Sequence, residues 1–140
     1  MDYDEFRLLH SDLIGLFQLI ESDLKWIFSI IEKGDVDDNF SKIEKFNLGK
    51  IIKDLKSLVK SVLYPFISAN DYNFLKQMKD KRNYWCHECF LDFMYVDSWE
   101  NSKEFNDVCR KLAHDYQKTK IVQRNVQEVK LKANKEFRGG

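Results

Sequence analysis

From Tyr3 to Lys33, apolar side chains return at Phe6, Leu9, Leu13, Phe17, Ile20, Leu24, Ile27 and Ile31, at spacings of three and four. That period places them on one face of a long helix, which Gly34 ends; GDVDDN then reads as a loop. Ile14, Leu16, Phe28 and Ile30 widen the stripe, so a second side of the helix calls for cover, for which a partner chain is a candidate. A short helical piece over Phe40 to Phe46 follows. Asn47 is placed to cap LGKIIKDLKSLVKSVL, in which Leu48, Ile51, Ile52, Leu55, Leu58, Val59 and Val62 share one side, with Lys50, Lys53, Lys56 and Lys60 on the other. Pro65 disfavours helical geometry at Tyr64 and closes this helix. The next helix starts from Ser68 or Asn70 and runs to about Met94. VDSWENSKEF breaks the pattern and offers Asp97 or Ser98 as a cap. A very long helix then carries Phe105, Val108, Leu112, Tyr116, Thr119, Val122, Val126, Val129, Ala133 and Phe137. Its far end, Val126 to Phe137, is expected either to pack on a second subunit or to fray.

Composition narrows the class. A hydrophobic fraction of 44% with 14% aromatic residues argues against disorder, and 140 residues are enough for one domain, 1–140, with a core. Five Gly and one Pro leave little turn chemistry for an all-β fold. The expectation is all-α, a four-to-five-helix up-and-down bundle. The acidic, polar N-terminus lacks the features of a secretory or transit peptide, and no apolar run approaches a membrane span, so a cytoplasmic protein with no membrane contact is expected. With three Cys, two of them three apart on a helix, free thiols are expected.

The net charge is zero but unevenly distributed. Residues 1–40 hold three Lys/Arg against ten Asp/Glu; 41–82 hold ten against four; 83–109 hold one against six; 110–140 hold nine against three. Helices of alternating sign attract one another in a bundle, and the two basic blocks could also meet an RNA backbone.

Candidate chemistry is concentrated in DKRNYWCHECF, residues 80–90. Cys86 and Cys89 have the spacing of a redox dithiol, but such a pair needs a preceding strand and a helix N-terminus to lower a thiol pKa. The residues before Cys86 read as helix. Cys86, Cys89, Cys109 and His114 have zinc-ligand spacing, yet Cys89 falls on the apolar stripe Leu75, Met78, Trp85, Cys89, Phe93, where a thiol behaves as a small hydrophobe. The third chemistry uses Arg82, Asn83 and His87. Asn83 and His87 are four apart and share a helix face, and the Arg82 side chain is long enough to swing toward it. An imidazole exchanges protons near neutrality, a guanidinium grips two phosphate oxygens, and an amide orients either. Together they make a metal-free kit for attack by a ribose 2′-OH on the adjacent phosphate.

RNYWCH resembles the R-x4-6-H motif of the HEPN superfamily, including the Asn that often follows the Arg. The architecture is similar as well: a helical bundle of this length with the motif late in the third long helix and another helix after it. The resemblance implies a metal-independent endoribonuclease of toxin–antitoxin or anti-phage defence, needing no cofactor and acting on RNA as a homodimer whose motif helices line one cleft. Arg82 would stabilise the phosphate, His87 would be the general acid/base and Asn83 would position them. The helix from Lys50 to Lys60 and Lys79, Lys81 and Arg124 are candidates for RNA backbone contacts. Partners implied are an antitoxin or a nucleotidyltransferase. The Tyr that such a transferase modifies, two residues after the His, is here Cys89, although Tyr84 and Tyr95 flank the site. The competing reading is a non-catalytic HEPN-like interaction or nucleotide-binding module acting with a partner protein, with Arg82 paired to Glu88 or Asp92.

Overall fold

The helices begin where a short polar side chain takes up an amide that the first turn leaves unpaired. The computed structural model describes residues 1–63 and 66–139. It contains α1 (Tyr3–Ile31), α2 (Val36–Ile43), α3 (Leu48–Ser61), α4 (Ala69–His87) and α5 (Lys103–Arg138), with 3-10 turns at Cys89–Asp92 and Trp99–Asn101 and no strand among the described residues. Asp2, Asp35, Asn47, Ser68 and Ser102 are the caps, accepting from Glu5, Asp38, Lys50, Asp71 and Phe105 N–H at 2.8 to 3.1 Å.

Three boundaries differ from expectation. The short helix starts at Val36 rather than Phe40, because Asp35 caps it and Asp37 and Asp38 suit the positive end of its dipole. Helix α4 ends at His87 rather than near Met94. Beyond it the chain tightens into i→i+3 bonds, Leu91 N–H to Glu88 O at 2.9 Å and Phe93 N–H to Phe90 O at 3.4 Å, while Phe90 and Phe93 join the Phe6 ring. The cap of α5 is Ser102, not Asp97 or Ser98. Ser98 takes a left-handed conformation (φ 50°) that opens the turn carrying Trp99 onto Phe105. The stop expected at Tyr64 and Pro65 lies outside the described residues; α3 itself ends at Ser61.

The helices alternate in direction. Gly34, at φ 103°, makes the reversal after α1, and the Asn39 amide donates to the carbonyls of Ser29, Glu32 and Lys33 at 3.1 to 3.2 Å, folding α2 back on α1. Pairs such as Lys56 with Tyr72 and Trp85 with Asp115 show α4 antiparallel to both α3 and α5. Helix α5 runs parallel to α1, with Tyr3 beside Phe105, Asp23 bonded to Lys130 at 2.7 Å, and Ile30 O accepting from Arg138 Nε at 3.0 Å. Every position of the α1 stripe is buried except the half-buried Leu9. The far end of α5 neither frays nor requires a second subunit. Ala133 is buried, Phe137 packs on Phe66, and Arg138 also caps Glu32 O at 2.7 Å, satisfying carbonyls that the end of α1 leaves open. No helix among the described residues is long and apolar enough to cross a membrane.

Asn39→Ala would remove all three bonds at this reversal, leaving Ser29 O and Glu32 O to Arg138 alone and Lys33 O without a side-chain donor. The expected loss is about 1–3 kcal/mol of unfolding free energy, read from denaturant midpoints at unchanged slope.

Candidate functional site

A buried carboxylate fixes the rotation of α4. Asp115 on α5 accepts from the Trp85 indole Nε1 at 2.9 Å and from Lys81 Nζ at 3.2 Å, and both Asp115 and Trp85 are shielded from water. A helix turns about 100° per residue, so with Trp85 held inward, Asn83 and His87 are each about 200° away. Both are exposed. His87 is the last residue of α4, where Glu88 N–H closes onto Tyr84 O at 2.9 Å. Among the described residues neither side chain of this Asn–His pair makes a hydrogen bond or ion pair, so both remain available to a ligand.

Arg82 is placed differently. It is half-buried and turned toward α1, where its Nη1 donates to Glu21 Oε2 at 3.0 Å, rather than to Glu88 or Asp92. The two side chains retain enough solvent contact that the pair adds on the order of 1 kcal/mol or less. One nitrogen is engaged; a guanidinium has further donors for an anion. Lys79 shares the Asn83–His87 stripe and is exposed. Lys81, expected to meet RNA, is instead committed to Asp115. Arg124 is exposed but remote: its neighbour Asn125 reaches Asp71 at the start of α4, about 24 Å along that helix from His87. The structure thus gathers Lys79, Asn83 and His87 on one stripe, sets Arg82 at its edge, and leaves Lys81 and Arg124 out.

His10 was not anticipated as a neighbour of the motif. Its Nε2 lies 2.6 Å from Trp85 O, where it donates, and its ring packs on Phe6 and Phe90. The same carbonyl accepts from Cys89 Sγ at 3.3 Å. The only sequence signal was position: His10 borders the α1 stripe, four residues after Phe6 and three before Leu13.

Neither thiol chemistry assembles. Cys86 is exposed, while Cys89 and Cys109 are buried. Burial pushes the Cys89 thiol up to about 11 from an ordinary 9.0, the reverse of an activated dithiol, and burial raises Cys109 also. No three His, Cys, Asp or Glu side chains converge among the described residues, so the Cys86, Cys89, Cys109 and His114 set is dispersed. Tyr84 donates to Asp92 Oδ2 at 2.5 Å under the Lys111 ammonium, 3.5 Å from its ring; burial, then this bond, raises its hydroxyl above the usual phenol range. Tyr95 is 85% exposed.

No protein-family model matches the chain, and no curated protein and no solved structure matches it. The chemistry of the site therefore rests on these residues and their geometry.

At pH 8 a disulfide reagent should titrate one thiol rapidly, Cys86, with Cys89 and Cys109 reacting only on unfolding. Because the folded value of Cys89 is raised, its contribution to stability is full below about 9 and declines as pH rises through about 11. Asp115→Ala would strand the buried Trp85 indole and unpair the part-buried Lys81 ammonium, with an expected loss of about 1–3 kcal/mol by thermal or denaturant melting.

Proposed function

We propose that the chain is a HEPN-like endoribonuclease, cutting RNA without a metal in a defence or toxin–antitoxin setting. The observation that carries this reading is the R-x4-H motif at the solvent-facing end of α4, with Asn83 and His87 on one open stripe and Arg82 beside it. The five-helix architecture, with the motif late in α4 and a single long helix after it, supports it further.

In this mechanism the His87 imidazole takes the proton of a ribose 2′-OH as that oxygen bonds to the adjacent phosphorus. The bond from phosphorus to the 5′ oxygen breaks, and the leaving oxygen takes a proton from the His87 of a second copy facing the first. The products are a 2′,3′-cyclic phosphate and a 5′-hydroxyl. Arg82 stabilises the charge gathering on the phosphate oxygens with the donors that Glu21 leaves free, and the Asn83 amide orients the phosphate or the imidazole.

The Arg82–Glu21 ion pair favours a second reading, in which Arg82 only ties α4 to α1 and the protein is a non-catalytic module acting with a partner. The two separate in one experiment on purified protein and single-stranded RNA. His87→Ala should lower the cleavage rate at least about 10²-fold and Arg82→Ala should lower it comparably, with wild-type cleavage unchanged by EDTA. Equal cutting with and without His87, or loss of cutting in EDTA, would overturn the nuclease reading.

A further inference from the structure

The antiparallel pair α3 and α4 encloses a groove of about 370 Å³ that the chemistry at His87 does not use. Its floor is hydrocarbon, from Leu48 and Ile52 of α3 and Leu75 of α4. Its rim is cationic: Lys53 and Lys56 stand on one wall, Lys76 and Lys79 on the other. None of the four makes an ion pair among the described residues, although the fold pairs Lys50, Lys81 and Lys130 with nearby aspartates. Four like charges around one cleft repel, and an anion seated among them relieves that repulsion.

The groove is also in register with the candidate site. Lys76, Lys79, Asn83 and His87 follow one exposed stripe of α4, and Lys79 precedes His87 by about 12 Å along the axis. We infer that this groove is a nucleotide subsite for single-stranded RNA: one unpaired base lies on the Leu48–Ile52–Leu75 floor, its flanking phosphates meet the four lysines, and the strand continues along α4 to His87. The inference rests on the reading of the chain as an RNA-cutting protein and names where its substrate is held. A volume of this size admits a base with its sugar, and a splayed base requires a single strand, so duplex RNA is excluded from the subsite. An acidic protein segment would satisfy the same charges, but the continuity of the stripe from the groove to His87 favours a strand that must reach the imidazole.

Two changes probe the groove by different means. Lys53→Gln with Lys76→Gln removes two ammoniums from facing walls. Gly49→Phe fills the mouth: Gly49 lines the groove in the first turn of α3, where an added Cβ meets only the Asn47 side-chain oxygen at 3.5 Å. Binding of a fluorescent single-stranded 12-mer RNA is measured on the His87→Ala protein, so that no cutting intervenes. The expected result is at least a tenfold rise in Kd for each change, and for the double lysine change a salt dependence reduced by about 0.7 per lysine in the slope of log K against log salt. The blunt duplex should bind at least tenfold more weakly than the strand.

Unchanged RNA affinity in both groove variants, with melting temperatures equal to the parent, overturns the subsite while leaving the nuclease reading intact if the wild type still cuts. Equal affinity for strand and duplex overturns it too. So does groove-dependent binding of an acidic leucine-bearing 20-mer peptide together with groove-independent binding of RNA. Groove-dependent RNA binding by a wild type that cuts nothing upholds the subsite and removes the nuclease.

Discussion

One carboxylate in the interior decides which way the chemistry-bearing helix faces. Asp115, 3% exposed, is held by the Trp85 indole and the Lys81 ammonium, so α4 can rotate against α5 only by leaving the indole and the carboxylate unpaired where water does not reach them. Thr119 Oγ1, buried on the next turn, satisfies itself on the Asp115 main-chain carbonyl at 2.6 Å and leaves the carboxylate to these two donors. With Lys81, Trp85 and Cys89 committed to the inside, the residues on the far side of the same turns have nowhere to go but out. The exposure of Asn83 and His87 is a consequence of that clamp.

A cluster of rings sets where α4 stops. Phe6, buried entirely, touches Phe90, Phe93 and Phe105 at centroid distances of 5.6 to 5.9 Å, and Trp99 closes on Phe93 and Phe105 from the other side. Edge-on and tilted rings of this kind are favoured by their quadrupoles as well as by the area they remove from water. Phe90 and Phe93 are three apart, and a 3-10 turn sets residues at that spacing directly one above the other, where an α-turn would offset them by about 60°. The helix therefore ends at His87, and the imidazole sits at a helix terminus instead of in mid-helix.

The alternating charge blocks are only partly spent on holding the bundle together. The basic end of α5 answers the acidic first block: Lys130 reaches Asp23, and Arg138 takes the last carbonyls of α1. Lys81 answers a single aspartate inside the last block. Lys53 and Lys56 of α3 and Lys76 and Lys79 of α4 have no such answer among the described residues and gather around a groove as a local excess of positive charge. Proximity of two basic helices, which no linear count of charge shows, produces it.

The number of helices, their approximate spans, the caps Asn47 and Ser68 and the buried stripes of α1 and α5 were legible in the residues, because hydrophobic period and capping are local properties that a few neighbouring side chains settle. The placement of the R-x4-H motif late in α4 was legible for the same reason. The fate of each polar side chain was not: Lys81 and Lys79 look alike in the sequence, yet one is bonded to a buried carboxylate and the other is exposed, and Arg82 met Glu21, a residue sixty-one positions away. The end of α4 and the move of the α5 cap to Ser102 were likewise hidden, since rings from α1 and α5 set them. By itself the sequence determined which segments are helical and which face each must bury. Only the tertiary structure decided which charges are paired and which remain for a ligand, because pairing depends on distances between segments that local periodicity does not encode.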